Sequence, residues 1–258
     1  VRRPLGGNVS VRAVLMARDE ADVIAYTIEH LLAEGVDRIV VADNRSADAT
    51  RSILDTYAGC APVTVIDDPV PAYYQAAKMS ALAARGATAG DWVLPVDADE
   101  LWHCLDGEPL AERLRALDAD VVTAAPLVHV PRPDDDQGDP NPFTRTSHVA
   151  VSSDQMTKVA FRWRPGVELA MGNHSVFGAG HRTAGGVLGV RHFQWRSLSQ
   201  VRRKVSDGVA ALDEAGAGPF TGTHWRALAA ADDAGLERWW DDYRSQAVRL
   251  DPAPWRGR

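Results

Sequence analysis

Asp97, Asp99 and Glu100 follow directly on the apolar run Trp92-Val93-Leu94-Pro95-Val96, and carboxylates gathered at a strand end can hold a hard cation. Two residues apart on extended backbone, Asp97 and Asp99 project to the same side and can converge on one Mn2+ or Mg2+. Asp99 is the expected direct ligand, and Asp97 needs only a water-mediated contact. A cation there can bridge a diphosphate. An acidic triplet alone is weak, because strand ends also use Asp as a cap or a solvated turn. The position reads as a polar strand end, so Asp99→Ala is expected to remove a metal ligand with little loss of folding. His174, in Met171-Gly172-Asn173-His174-Ser175, is the candidate third metal ligand, approaching from late in the chain. His192, in His192-Phe193-Gln194-Trp195-Arg196-Ser197, is the next functional candidate, although a lone histidine is usually structural.

These side chains need a scaffold that brings strand ends to one rim. Val9 to Met16 reads as a first strand, after which Ile24, Ile28, Leu31 and Leu32 recur at helical spacing and Gly35 stops the helix. Ile39-Val40-Val41 opens a second strand that ends at Asp43. Ser46 caps the next helix, Asp48 sits in its first turn and Gly59 closes it. Val63 to Ile66 is a third strand, Ala72 to Ala84 a helix with Lys78 in its middle, and Asp91 to Val96 the strand that delivers the acidic triplet. Right-handed crossovers align such strand ends, and ligands of open α/β sheets bind along that edge. Val121 to Val128, Val159 to Trp163 and Val187 to Val190 read as further strands of a second, mixed half of the sheet. Pro131 to Pro142 is a loop. Val201, Val205, Val209 and Leu212 mark one late helix and Leu236 to Leu250 another. The expected fold class is α/β, a mixed sheet flanked by helices. Residues 1–198 are expected to form the catalytic domain and residues 199–258 a helical extension packed on it.

Three segments together are more specific than any one of them. Val14-Leu15-Met16-Ala17-Arg18-Asp19-Glu20, then Asp43-Asn44-Arg45-Ser46-Ala47-Asp48-Ala49-Thr50, then Asp91 to Glu100 ending in D-A-D-E, in this order and spacing, resemble glycosyltransferase family 2. The likeness covers roughly residues 9 to 105 and is nearest to the subgroup with a D-A-D-E motif. It implies a GT-A (Rossmann-like) fold, a nucleotide-sugar donor of UDP or GDP type, a divalent cation and inversion at the transferred sugar. It also implies Ala17 and Glu20 beside the nucleoside, Asp43 on the base, and Asp97 and Asp99 on the ribose and metal. A carboxylate such as Asp43 can accept a hydrogen bond from a ring N–H of uracil or guanine, and a helix-capping loop explains the same run without a ligand.

Many relatives carry a Glu-Asp pair near the acceptor that includes the catalytic base, and no such pair occurs between Ala124 and Phe193. Glu168 is the leading candidate for a base that deprotonates an acceptor hydroxyl, with Asp139 and Asp154 as rivals. Lys78 and Arg196 are candidates for binding the donor. Arg196, Arg202, Arg203 and Lys204 can meet a diphosphate, since guanidinium forks match phosphate oxygens; a solvated helix face accounts for at least two of them. Asp134-Asp135-Asp136 can attract a cationic acceptor such as an amino sugar, but is better read as a solvated loop. Trp163, Trp195, Trp239 and Trp240 can stack on sugars, with core packing the better reading.

The chain has 258 residues, 45% hydrophobic and 24% charged, with a formal net charge of -7, which suits a globular protein and not a binder of nucleic acid backbone. Cys60 and Cys104 form no C-x-x-C motif and are expected to be reduced, buried thiols. The opening residues lack the apolar run of a secretory signal, and no segment reaches the roughly 20 apolar residues of a spanning helix, so a cytoplasmic setting is expected. The acceptor is expected to be a small molecule or glycan. Two other readings stay open: a sugar nucleotidyltransferase, which should show an early Gly-rich phosphate loop that Gly6-Gly7 does not supply, and a non-catalytic nucleotide-sugar-binding or interaction module.

Overall fold

Runs of Val, Ile and Leu that are apolar at every position leave no polar face for water, and the chain buries them as inner strands of a sheet covered on both sides. The computed structural model describes residues 9–60, 62–151, 156–250 and 253–257. The first hundred residues form β1 (Val11–Ala17), α1 (Ile24–Ala33), β2 (Arg38–Asp43), α2 (Thr50–Ala58), β3 (Val63–Asp67), α3 (Gln75–Ala84) and β4 (Trp92–Asp97). β5 (Glu100–Cys104), α4 (Leu110–Ala116), β6 (Val121–Val128), α5 (Pro142–Arg145), β7 (His148–Ala150) and β8 (Lys158–Arg162) follow. The short strands β9 (Glu168–Leu169) and β10 (Val176–Phe177) pair with each other and lead to β11 (Thr183–His192). Then come α6 (Leu198–Glu214), α7 (Thr223–Ala229), α8 (Asp233–Ser245) and β12 (Ala247–Arg249), which pairs with β7.

Eight strands make one mixed sheet in the order β3-β2-β1-β4-β8-β6-β11-β5, flanked by helices, as expected for a GT-A-like fold. The first four are parallel. β8 then runs antiparallel to both β4 and β6, so it joins the two halves. Side chains of β1 alternate between the faces: Ala13 and Leu15 pack with Ile24, Ile28 and Leu31 of α1, and Val14 packs with Met79 and Leu82 of α3. Register sets the rim. Ala17 pairs with Asp43, Asp43 with Asp67, and Met16 with Asp97, so the strand ends lie in one row.

Several elements differ from the sequence reading. β5 and α4 have no counterpart in it; β5 is Glu-Leu-Trp-His-Cys, buried throughout, and its polar residues hide its strand character. Ser46 does not cap α2. Its hydroxyl accepts from Asp19 N–H at 3.1 Å, while Asp48 accepts from Thr50 N–H at 2.8 Å, because the turn before α2 is tied to the β1 loop. Cys60 is exposed, having fallen just beyond α2, and only Cys104 is buried. The two late helices are present, with α7 between them, but the second ends at Ser245 and residues Ala247–Arg249, read as its last turn, form β12 against β7. Among the described residues no helix is long and apolar enough to cross a membrane.

Two buried groups generate tests. Phe161 is fully buried and pairs with Val93 of β4 on one side and Val121 of β6 on the other. Phe161→Ala opens a cavity at this junction and is expected to cost about 3–5 kcal/mol of unfolding free energy in urea titration. His30 donates from Nε2 to Trp102 O at 2.7 Å and accepts on Nδ1 from Arg256 N–H at 2.9 Å, a pattern only the neutral ring satisfies. Burial pushes its pKa from 6.5 down to about 4. Between those values the unfolded chain takes up a proton that the folded chain refuses, so stability falls as pH drops through the window. His30→Gln, which donates and accepts without titrating, is expected to flatten the decline by up to roughly 3 kcal/mol between pH 7 and pH 4, read by urea titration at each pH.

Candidate functional site

The parallel strands end where β1, β2 and β4 deliver Ala17, Asn44 and Asp97 to a cavity of about 470 Å³, a size in the range of small-molecule sites. Its other wall comes from the late helices, through Gln200, Lys204, Asp207 and Ala211 of α6 and Trp225 of α7. Ser197 caps α6 by accepting from Gln200 N–H at 3.2 Å, and Tyr73 N–H donates to Ala211 O at 2.9 Å, tying the helix to the loop before α3.

The acidic motif is bent, not extended. β4 ends at Asp97, Ala98 and Asp99 form a turn, and Glu100 starts β5, so the two aspartates meet different partners. Asp97 accepts from Lys158 Nζ at 2.6 Å and from Asn173 Nδ2 at 3.1 Å. Lys158 also reaches Glu100 at 2.8 Å, and Glu100 accepts from Asp97 N–H at 3.2 Å and from Trp102 Nε1 at 3.1 Å. Asp99 accepts from Lys204 Nζ at 2.5 Å and lies 3.4 Å from His192 Nε2 and 3.6 Å from Arg196. The pairing of β11 with β5 sets His192 opposite Glu100 and so beside this turn.

Burial alone would raise the Asp99 carboxyl, but Lys204, His192 and Arg196 outweigh it and hold the group well below the ordinary carboxylate range. Burial would likewise lower Lys158 and Lys204, and the carboxylates beside them raise both instead. Glu100 goes the other way, its burial exceeding the help from Lys158. Asp99 is only 3% exposed, so the expectation that it can be truncated with little loss of folding is corrected: its removal takes one carboxylate from buried Arg196 and from Lys204, leaving them Glu20 and Asp22.

The remaining candidates divide. Ala17, Glu20, Lys78, Asp97, Asp99, His174 and His192 line the cavity. Glu20 pairs with Arg196 and with Lys204 at 3.2 Å; Lys78 pairs with Asp68 at 2.6 Å. His174 Nδ1 lies 3.1 Å from Thr157 O, and its ring packs so closely on Gly172 that a Cβ there would come within 2.4 Å. Burial and the nearby Lys158 lower its pKa. Asp43 is buried behind the wall, one residue before Asn44, and accepts from Ser46 N–H at 3.3 Å. Arg196 is buried beneath the cavity, where it holds Glu20, Asp22 and Asp99.

Glu168 sits exposed on β9, away from the cavity wall. Asp139 accepts from Asn141 N–H and Thr144 Oγ1 within its own turn, and Asp154 lies outside the described residues. Asp135 of the acidic loop is buried and accepts from Arg132 N–H at 2.7 Å. Trp195 and Trp240 are buried with Trp239 against them, as core packing predicts, and Trp195 also reaches the cavity. Among the described residues no three Asp, Glu, His or Cys side chains group closely enough to hold a metal. Sequence reasoning missed Lys158, Asn173, Asp207 and Trp225. Their one shared signal, polar or aromatic residues set among apolar positions of a strand or helix, is too common to single them out.

Residues 13–177 match the family model described as Glycosyl transferase family 2. No match was found among curated protein sequences. Among solved structures, S. aureus TarS 1-349 is 13% identical, with 90% of this chain and 78% of that chain covered and a TM-score of 0.45. Its complex with UDP-GlcNAc gives 13% identity, 92% and 74% coverage and 0.45. Glucosyl-3-phosphoglycerate synthase from Mycobacterium tuberculosis, in complex with Mn2+, UDP and glucosyl-3-phosphoglycerate, is 22% identical over 48% of this chain and 50% of that one, with a TM-score of 0.32. With well over half of its length matched by the family model, the chain belongs to glycosyl transferase family 2.

Proposed function

We propose that the chain moves a sugar from a UDP- or GDP-type donor to a hydroxyl of a small molecule or glycan, with inversion, and that a divalent cation enters the site with the donor. The reading includes membership of the D-A-D-E subgroup and a catalytic unit of residues 1–198 completed by residues 199–258. The observation that carries it is a cavity at the strand ends whose wall holds carboxylates already matched by ammonium groups. Five acidic and five basic side chains line it, namely Asp19, Glu20, Asp97, Asp99 and Asp207 against Arg18, Lys78, Lys158, Arg203 and Lys204. A donor diphosphate adds two negative charges to this balanced wall, and a divalent cation restores the balance.

Asp97 and Asp99 fit such a cation. Both offer hard carboxylate oxygens to the cavity, and the ammonium groups now against them mark where positive charge is accepted. No third Asp, Glu, His or Cys is grouped with them among the described residues, so the donor diphosphate and water would supply most of the remaining coordination. His174 stays a proposed late ligand on its place on the wall; His192, 3.4 Å from Asp99, is the alternative. When bound, the cation neutralises charge growing on the departing diphosphate. Lys158, Lys204 and Lys78 face the same space and can share the phosphate oxygens, while Ala17, Glu20 and Asp43 are proposed to hold the nucleoside.

A binding module without catalysis would leave the cavity chemistry idle, and donor hydrolysis separates the two. Wild-type chain incubated with UDP- and GDP-sugars and Mn2+ is expected to release nucleoside diphosphate. Asp97→Asn, at the more exposed of the two carboxylates, is expected to lower Mn2+-stimulated release by about 100-fold while the melting temperature changes little; release that stays Mn2+-stimulated at the wild-type level removes Asp97 from the metal site. Asp43→Ala is expected to raise the donor KM more than it lowers kcat, because the base is held alike in ground and transition states. An unchanged KM would leave Asp43 with its Ser46 contact alone.

A further inference from the structure

We propose that Asp207 is the catalytic base, taking the proton from the acceptor hydroxyl; the inference rests on the glycosyltransferase reading and deepens it. A general base must meet the substrate and be free to receive a proton. Four of the five acidic side chains on the wall are engaged. Asp19 accepts from Ala47 N–H at 2.6 Å, Glu20 is held by Arg196 and Lys204, Asp97 by Lys158 and Asn173, and Asp99 by Lys204. Asp207 lines the same cavity, and among the described residues its carboxylate has no hydrogen bond and no ion pair.

Helix geometry fixes where it stands. Lys204, three residues earlier on α6, touches Asp99 at 2.5 Å. Residue i+3 lies on the same helix face about 4.5 Å further along the axis, so Asp207 stands roughly one turn beyond Lys204 on the helix that forms the cavity's other wall. The next residue, Gly208, has no side chain, and a Cβ there would come within 2.5 Å of the Trp225 ring. The indole therefore packs directly on α6 beside Asp207, and Tyr73 meets it edge-on at 5.9 Å. A free carboxylate beside an aromatic wall suits a saccharide acceptor, which sets its C–H face on the indole and a hydroxyl on the acid.

In the step, the acceptor O–H proton passes to Asp207 as the oxygen forms a bond to the anomeric carbon. The bond from that carbon to the phosphate oxygen breaks, and its electron pair leaves with the nucleoside diphosphate. Asp207 then returns the proton to solvent. His192 is the rival base, but it lies against Asp99, whose charge is already shared with Lys204 and Arg196.

The test uses the full chain with Mn2+, UDP-glucose, UDP-GlcNAc and GDP-mannose as donors, and water, glycerol and methyl glucosides as acceptors. Asp207→Asn is expected to lower nucleoside diphosphate release by on the order of 10²–10⁴-fold. Binding of UDP or GDP by calorimetry is expected to stay within about twofold and the melting temperature to hold, because a base acts on the acceptor and not on the donor nucleotide. Formate added to Asp207→Ala is expected to restore part of the release, which a structural role would not allow. The assignment is overturned if Asp207→Asn keeps more than about a third of the release, loses nucleotide affinity in step with it, or if formate has no effect. It is also overturned if His192→Gln abolishes release while Asp207→Asn does not. A wild-type chain that binds neither UDP nor GDP and releases neither overturns the glycosyltransferase reading, and the base with it.

Discussion

Arg196 draws three stretches of chain into one buried cluster. It reaches Glu20 and Asp22 from the loop after β1 and Asp99 from the turn after β4, and donates to Phe193 O at 3.0 Å beside β11. Lys204 adds α6 by bridging Glu20 and Asp99. Charges taken out of water cost several kcal/mol each unless they are matched, so these groups are stable only as a set. The position of α6 against the sheet and the bend at Ala98 follow from that requirement. So does the side of the cavity that the late helices occupy.

The same constraint shapes what a ligand would meet. Asp97 and Asp99 do not wait as bare carboxylates; each already has an ammonium group, and Glu100 shares one of them. Entry of an anion with its own cation would then be an exchange of partners inside a balanced site. The costly step, desolvation of the protein's own charges, is already met by folding. This is preorganisation of the kind that lowers the reorganisation a reaction must carry.

The early strands and helices were legible because their periodicity is unmixed: Ile24, Ile28 and Leu31 recur at helical spacing, and Ile39 to Val41 and Trp92 to Val96 are apolar throughout. The row of strand ends, with Asp97 at the end of β4, followed from that alternation. β5 was not legible, since Glu100 and His103 read as polar although partners bury them. The site's cations were harder still. Nothing local to Lys158 or Lys204 announces a carboxylate 61 or 105 residues away, and Glu168 looked suitable as a base only until β9 set it on the outside. Spacing reports on neighbours in sequence; charge pairing across a sheet depends on topology.

The division of the cavity wall carries a last consequence. The family match ends at residue 177, whereas the wall continues through His192, Lys204 and Asp207 to Trp225. Under the proposed reading, the strand ends that meet the nucleotide lie in the matched region, and the helices that would meet the acceptor lie beyond it. The donor side would then be held by backbone register, which a sheet cannot alter at one point without shifting its neighbours. On the same reading the acceptor side is a helix face that Lys204 and its two carboxylates hold to the sheet, with Asp207 kept by its proposed role and Gly208 by the Trp225 ring packed on it. Under that reading the buried cluster ties the donor half to the sheet, and acceptor choice would fall to the faces of α6 and α7 that the cluster does not use.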